Sequence, residues 1–195
     1  DTVQAGGGDD IVIGGGGRDV LRGGPGNDLM HAGKGRDHLV GGRGDDVLIG
    51  GAGPDTIEGG PGNDACWGAK GKDNLSGGNG DDLLFGGAAA DDIAGNGGND
   101  LMRGGKGPDV IKGGAGEDMI RGGKGRDDIR GGGGNDAIEG GPGSDALVGG
   151  PGGDLIEGGP GADDLTGGPG VDTLNGGGGT DTCNEAQGTT ANCSR

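Results

Sequence analysis

Residues 23–31 read GGPGNDLMH, which places three glycines, a proline and an Asn-Asp pair ahead of three residues of a different kind. Glycine adopts positive φ angles and lets backbones approach closely, so the first six residues predict a tight turn. The last three residues, Leu29, Met30 and His31, alternate outward, inward and outward in an extended chain. The stretch therefore predicts a turn followed by a very short strand, with Met30 as its inward side chain.

The same nine-residue unit recurs from Ala5 to Asn184 in 20 consecutive copies, without insertion or deletion. We number the places of the unit from one to nine. The first, second and fourth places are glycine, and the sixth place is Asp in every unit. The glycine places have five exceptions, which are Ala5, Ala32, Ala69, Asn96 and Ala89.

The eighth place of the unit is always apolar. One apolar residue in nine cannot form a core alone, but stacked coils would align these side chains as a ladder. The predicted core residues are Val12, Leu21, Met30, Leu39, Leu48, Ile57, Cys66, Leu75, Leu84, Ile93, Met102, Ile111, Ile120, Ile129, Ile138, Leu147, Ile156, Leu165, Leu174 and Cys183.

The composition alone is typical of an unfolded chain. The 195 residues include 62 glycines, one Trp, one Phe and no Tyr, and the net charge is −17. So little apolar surface cannot offset the ordering entropy of so much glycine. A disordered linker would not keep Asp and an apolar residue in fixed phase, and collagen needs glycine at every third place. We therefore expect an ordered solenoid that something outside the chain stabilises.

The unit G-G-x-G-x-D-x-(apolar)-x resembles the repeat-in-toxin (RTX) nonapeptide, the hemolysin-type calcium-binding repeat. GGPGNDLMH (23–31), GGRGDDVLI (41–49) and GGNGDDLLF (77–85) match it place by place, and the resemblance covers residues 1–184. It implies an all-β fold, a right-handed parallel β-roll with two nonapeptides in each 18-residue coil and about ten coils. It also implies calcium ions between stacked turns, held by sixth-place carboxylates and backbone carbonyls.

The sixth-place aspartates are the candidate metal ligands. Calcium takes six to eight oxygen ligands in flexible geometry, and stacked carboxylates would repel each other without a cation. The alternative is that they stabilise Asx-turns, but Asn or Ser would then often replace them. We expect weaker sites around Asp91, beside Ala89, and competent sites in the other exceptional units. The candidates are Asp10, Asp19, Asp28, Asp37, Asp46, Asp55, Asp64, Asp73, Asp82, Asp91, Asp100, Asp109, Asp118, Asp127, Asp136, Asp145, Asp154, Asp163, Asp172 and Asp181.

Alternate units differ, which gives a second period of 18 residues and independently supports a two-strand coil. In the units that start at Ala5, Gly23, Gly41 and so on, the outward places are apolar over the first half of the chain. Such a stripe predicts a docking face for a neighbouring domain or a second copy, although strand preference alone is an alternative. The predicted docking face comprises Ile11, Ile13, Leu29, Val47, Ile49, Trp67, Leu83 and Phe85.

The turns alternate in charge with the same period. The fifth place of the first set of units is mostly Asp or Asn, whereas the turns of the second set are basic. One predicted edge is therefore basic, and it either balances nearby acidic turns or binds an acidic polysaccharide. The basic edge comprises Arg18, Lys34, Arg36, Lys70, Lys72, Lys106, Lys124 and Arg126.

Two domains are predicted, a calcium-binding β-roll over residues 1–184 and a C-terminal tail or cap over residues 185–195. A disulfide between Cys183 and Cys193 would close the tail over the last coil and would imply an oxidising, extracellular setting. No apolar run is long enough to span a membrane. We expect no nucleic-acid partner.

The sequence predicts no enzyme active site, because the acidic residues form a periodic ladder and not a singular pair. His31 and His38 are expected on opposite faces, each without a nucleophile or carboxylate constellation. The predicted function is calcium binding by a folding and stabilising module of a secreted protein. The alternative is a calcium-dependent adhesive or polysaccharide-binding module, and scattered threonines disfavour an ice-binding solenoid.

Overall fold

A computed structural model describes residues 1–184 and 190–193, and this part of the chain contains 22 strands and no helix. The strands form two parallel sheets of 11 strands each. The odd sheet contains β1 (Thr2–Gln4), β3 (Val20–Pro25), β5 (His38–Arg43), β7 (Thr56–Pro61), β9 (Asn74–Asn79), β11 (Asp92–Gly97), β13 (Val110–Ala115), β15 (Asp128–Gly133), β17 (Ala146–Val148), β19 (Asp164–Thr166) and β21 (Thr182–Asn184). The even sheet contains β2 (Ile11–Gly16), β4 (Leu29–Lys34), β6 (Val47–Ala52), β8 (Ala65–Lys70), β10 (Leu83–Ala88), β12 (Leu101–Lys106), β14 (Met119–Lys124), β16 (Ala137–Glu139), β18 (Leu155–Gly161), β20 (Thr173–Gly179) and β22 (Thr190–Asn192).

The chain alternates between the two sheets, so each coil contains one strand of each. Within a sheet, the paired residues of the repeats lie 18 positions apart in the chain, as Met30 and Leu48 do. This register places equal places of alternate units side by side along the solenoid. The prediction of a parallel β-roll with about ten 18-residue coils is confirmed.

Most strands are longer than the three residues that the sequence predicted, whereas β1, β16, β17, β19, β21 and β22 contain three. Strands β2 to β15 each contain six residues, which run from the seventh place of one unit through the third place of the next. In β4, for example, Gly33 and Lys34 pair with Gly51 and Ala52 of β6. Glycines stacked on glycines continue the parallel ladder, because the backbone needs no side chain to make its hydrogen bonds. The turn is therefore confined to places four to six.

The core between the sheets is one side chain thick on each side. Eighth-place residues from Leu21 to Leu174 are buried almost completely, and Cys183 is half-buried at the end of the ladder. The predicted core ladder is confirmed. The first place also points inward, and Ala32 is fully buried there. Glycine at this place lets the two sheets and the turns approach closely.

The described part of the tail joins the solenoid. Strand β22 pairs in parallel with β20, but Thr190 lies opposite Thr173, so the register changes from 18 to 17 residues. The predicted disulfide between Cys183 and Cys193 is present, with Cα atoms 6.2 Å apart. The remainder of the predicted tail, residues 185–189 and 194–195, lies outside the described residues. No membrane-spanning helix is found in the described ranges.

The two histidines lie on different sheets, His31 on β4 and His38 on β5, as predicted. On the even sheet, the stripe that the sequence predicted is exposed most at its N-terminal end, where Ile11 is 75% exposed and Ile13 is 70% exposed. Trp67 and Phe85 occupy the ninth place of neighbouring coils. Their rings stack with centroids 6.0 Å apart, so each aromatic covers part of the other.

Candidate metal centres along the two edges

Two properties of the turn favour glycine at the second and fourth places of the unit. Gly24 and Gly26 have φ angles of 123° and 136°, a region that side-chain-bearing residues rarely adopt. A Cβ atom on Gly24 would also lie 1.9 Å from the carbonyl oxygen of Gly6, in the coil before. Stacked turns therefore pack backbone against backbone, and this packing brings carbonyl oxygens of successive coils close together.

Among the described residues, three that are not glycine also have positive φ angles. The φ angle is 80° at Ala69, 94° at Ala89 and 81° at Asn96. A positive φ costs an L-residue roughly 1–2 kcal/mol relative to the right-handed region. These three residues keep positive φ although negative φ is preferred, so their units retain the turn geometry at a cost in conformational free energy. The expectation of weaker binding next to Asp91 remains a prediction.

The structure brings the sixth-place aspartates together as two columns, one along each edge of the roll. Each carboxylate reaches back by one coil, so Oδ1 of Asp28 accepts the backbone N–H of Asp10 at 2.8 Å. Asp46 accepts from Asp28 in the same way at 2.8 Å. One column precedes the even strands and contains Asp10, Asp28, Asp46, Asp64, Asp82, Asp100, Asp118, Asp136, Asp154 and Asp172. The other precedes the odd strands and contains Asp19, Asp37, Asp55, Asp73, Asp91, Asp109, Asp127, Asp145, Asp163 and Asp181.

The second carboxylate oxygen of nearly every sixth-place Asp is buried and has no hydrogen-bond partner. Apart from Asp10 at the N-terminal end, these side chains are at most 7% exposed. A buried ionised oxygen without a donor or a cation is strongly unfavourable. The unpartnered Oδ2 atoms belong to Asp10, Asp19, Asp28, Asp37, Asp46, Asp55, Asp64, Asp73, Asp82, Asp91, Asp100, Asp109, Asp118, Asp127, Asp136, Asp145, Asp154, Asp163 and Asp181.

Where the first place is glycine, the Oδ2 atom of the sixth-place Asp packs closely against that glycine of its own unit. A Cβ atom built on Gly23 would lie 2.0 Å from Oδ2 of Asp28 and 2.8 Å from the carbonyl oxygen of Gly41. On Gly59, the corresponding distances are 2.3 Å to Oδ2 of Asp64 and 2.6 Å to the carbonyl oxygen of Gly77. Carboxylate and carbonyl oxygens of adjacent coils therefore converge at the first-place glycine, and both are hard oxygen donors of the kind that calcium prefers.

The side chains supply fewer than three charged or metal-ligating groups to any one of these sites. Within residues 1–184 and 190–193, no group of three or more His, Cys, Asp or Glu side chains converges as a metal cluster. A cation there would depend on backbone carbonyl oxygens for its other protein ligands. That requirement matches the glycine-rich turn, which leaves carbonyl groups accessible, and it suits calcium better than zinc.

The protonation of the ladder shows the cost of burying it without a cation. Burial raises the pKa of Asp46 and Asp55 to about 6, and that of Asp82 and Asp109 to about 7. The neighbouring sixth-place carboxylates raise it further, whereas the backbone hydrogen bond lowers it. The folded, metal-free ladder therefore disfavours the ionised form of these four carboxylates. A divalent cation removes this conflict by compensating the charge where it is buried.

The exceptional units differ from each other in a way that the sequence did not reveal. Ala69 and Asn96 occupy the second place of their units. Ala5 and Ala32 occupy the first place, where a Cβ atom in the other units would contact Oδ2 of the sixth-place Asp. The expectation that the units starting at Ala5, Ala32, Gly68 and Gly95 remain competent to bind is untested.

Sequence reasoning missed a second ladder at the fifth place of the first set of units. Oδ1 of Asp9 accepts the backbone N–H of Asn27 at 2.8 Å, and Oδ1 of Asn27 accepts that of Asp45 at 2.9 Å. These side chains reach forward by one coil and are exposed to solvent. The alternation of Asp and Asn with a period of 36 residues was the available signal.

Comparison with known families gives one result. The family model of the RTX calcium-binding nonapeptide repeat matches residues 1–30, 31–66, 40–75, 67–102, 95–129, 112–147, 122–156 and 148–183. The overlapping matches extend over nearly the whole chain. No curated protein matches the chain closely enough to add to this finding. Its repeats are those of a structural calcium-binding module, and the chain belongs to the RTX calcium-binding nonapeptide repeat family.

Proposed function

We propose that calcium ions bind along both edges of the roll at the sixth-place aspartates and drive this chain to fold. The observation that carries the proposal is the set of buried Oδ2 atoms without partners, several of which lie close to a backbone carbonyl oxygen of the next coil. The ion would supply positive charge and a coordination centre that joins successive turns. The protein supplies a carboxylate and carbonyl oxygens from turns that glycine makes close enough to share it.

The metal-free chain is expected to be largely unfolded at neutral pH. Its net charge of −17 and its glycine content oppose compaction, and its core has one apolar residue per unit. A ligand that binds only the folded state adds its binding free energy to folding. Calcium binding would therefore be coupled to formation of the whole roll.

An extracellular setting suits this proposal. The disulfide between Cys183 and Cys193 is stable in oxidising compartments and is rare in reducing ones. Extracellular calcium reaches the millimolar range at which extracellular calcium modules bind. We therefore propose that the chain acts as a calcium-folded, stabilising module of a secreted protein.

Far-ultraviolet circular dichroism tests the proposal on the full chain. In EDTA at neutral pH we expect a coil spectrum, and millimolar calcium should produce a β-sheet spectrum in one cooperative transition. Magnesium at the same concentration is the control, because its shorter bonds and stricter octahedral geometry suit this array poorly. An unchanged β-sheet spectrum in EDTA, or equal folding by magnesium, would disprove the proposal.

The basic edge supports a second candidate function, the binding of an acidic polysaccharide. None of its eight cations forms an ion pair within the part of the chain that the structure describes. A row of unpaired cations on an otherwise acidic protein attracts an extended anion. Glycan-array binding in calcium should decrease when Lys34, Arg36, Lys70 and Lys72 are changed to Gln. Equal binding by the variant and the native chain would contradict this function.

A further inference from the structure

The outer face of the even sheet changes in character beyond the aromatic stack. At the seventh place of β12, β14, β16 and β18 the apolar column continues with Leu101, Met119, Ala137 and Leu155. Leu101 is 42% exposed, Met119 is 60% exposed and Leu155 is 55% exposed. Three large apolar side chains on one flat face are unusual for a surface that stays in contact with water.

The ninth place of the same four strands is a column of charges. Its order along the solenoid is Arg103, Arg121, Glu139 and Glu157, two cations followed by two anions. Arg121 and Glu139 form an ion pair at the centre of the column. Arg103 and Glu157, at its two ends, have no ion-pair partner among the described residues. If a second copy of the column runs in the opposite direction, each cation of one copy therefore lies opposite an anion of the other.

A groove lies between these columns, with a volume of about 490 Å³. Its lining includes both columns and the ring of Phe85. Ala137 lies between Met119 and Leu155, so the short methyl group leaves a depression between two long side chains. The depression and the protruding Met119 are neighbours on successive coils.

We propose that this face is the interface of a homodimer in which the two solenoids run antiparallel. A two-fold axis parallel to the strands, midway between β14 and β16, relates the two copies. It places Arg103 opposite Glu157 of the second copy, and Met119 opposite Ala137 of that copy. Both unpaired charges gain a partner, and the protruding side chain meets the depression. A self-complementary surface of this kind is what a two-fold interface requires.

The area over which the even sheets of the two copies overlap is close to that of a standard protein–protein interface. The same axis places β8 opposite β22, so eight even strands of each copy overlap. At a spacing of about 4.8 Å and a width of about 20 Å, this band covers roughly 700 Å² per copy. A standard interface covers about 800 Å² per partner. The dimer covers Trp67 and Phe85 but leaves Ile11 and Ile13, at the N-terminal end, outside.

Sedimentation velocity of the full chain in calcium, combined with charge reversal, tests the proposal. Arg103→Glu places like charges together twice in the dimer, and Glu157→Arg does the same, so each should raise the dimer Kd at least tenfold. The double variant restores opposite charges and should return the Kd to within about threefold of the native value. Within one chain the two residues are about 14 Å apart, three coils along the sheet. Rescue therefore reports a contact between copies.

Lys112→Glu on the odd sheet is the matched control, since it makes the same charge change on an exposed ninth-place residue outside the interface. It should leave the Kd unchanged. Circular dichroism in calcium must give the same β-sheet spectrum for every variant, which separates loss of association from failure of calcium-driven folding. A folded native chain that stays monomeric up to about 100 µM would overturn the proposal. So would charge-reversed variants that dimerise like the native chain, or a double variant as weak as the single ones.

Discussion

Two hydrogen-bonded ladders run along the same edge of the roll, one residue apart in sequence. The fifth-place ladder is exposed and alternates Asp with Asn, as in Asp45, Asn63 and Asp81. The sixth-place ladder is buried and contains only Asp, as in Asp64 and Asp82. In both ladders one side-chain oxygen accepts a backbone N–H from a neighbouring coil.

The comparison of the two ladders shows that the side-chain hydrogen bond does not explain why the sixth place is always Asp. The fifth place demonstrates that an Asn side chain accepts this bond as well as an Asp side chain does. Alternation there also separates the charged carboxylates by two coils, which reduces their repulsion. At the sixth place Asp never alternates with Asn, although burial strengthens the repulsion between the carboxylates. The charge of its second oxygen must therefore serve another purpose, and cation binding beside the first-place glycine provides one.

The largest effect that separates the two ladders is the pH dependence of the metal-free chain. The folded pKa values of Asp82 and Asp109 are about 7, whereas unfolded Asp titrates near about 3.9. For an acid with a raised folded pKa, the neutral form stabilises the fold, and this stability is lost as pH rises through about 6–7. Circular dichroism in EDTA should therefore show more β-sheet at pH 5 than at pH 8. Equal spectra would contradict the account.

Next in size is the effect of replacing one charged oxygen in each ladder. In calcium, Asp82→Asn should lower the free energy of unfolding by about 2–3 kcal/mol, because a buried charged ligand is lost. The neighbouring exposed change, Asp81→Asn, should alter it by less than about 0.5 kcal/mol. Thermal unfolding in calcium measures both. In EDTA at pH 5, where the metal-free chain is expected to keep β-sheet, Asp82→Asn should not destabilise the chain, and a loss there equal to that in calcium would indicate a purely structural role.

A smaller effect is expected from adding a methyl group at the first-place glycine, which the sixth-place carboxylate approaches closely. Gly59→Ala places a methyl group 2.3 Å from Oδ2 of Asp64, so it should cost about 2 kcal/mol in calcium and raise the calcium midpoint of folding. Gly133→Ala is the matched control, because a Cβ atom there meets nothing within 4 Å. A calcium titration followed by circular dichroism distinguishes them. Identical calcium midpoints of folding for the two variants would show that no cation binds beside Gly59.

The smallest effect belongs to the exposed ladder. Asn63→Asp keeps the hydrogen bonds but places three carboxylates in successive coils, from Asp45 to Asp81. Solvent screening limits the destabilisation to about 0.5 kcal/mol at low salt, and added salt should abolish it. Thermal unfolding at two salt concentrations measures this difference. A loss of several kcal/mol would show that the exposed ladder is also essential to the fold.

The nine-residue period predicted most of the architecture, because an inward residue such as Met30 and its equivalents are sufficient to define two stacked sheets. It predicted strands that were too short, since backbone pairing of Gly33 with Gly51 leaves no signal in side-chain polarity. It identified the sixth-place aspartates but not the oxygens that converge at Gly23, because this convergence depends on how closely two coils approach. The charge column from Arg103 to Glu157 became meaningful only when the register placed it in one line.

The location of calcium in a crystal structure of the loaded chain tests the central claim most directly. The account predicts ions beside the first-place glycines, each in contact with Oδ2 of a sixth-place Asp such as Asp64 or Asp82, with anomalous scattering identifying the metal. Ions held instead by the exposed carboxylates of Asp45 and Asp81, with the buried Oδ2 atoms still unpartnered, would contradict it.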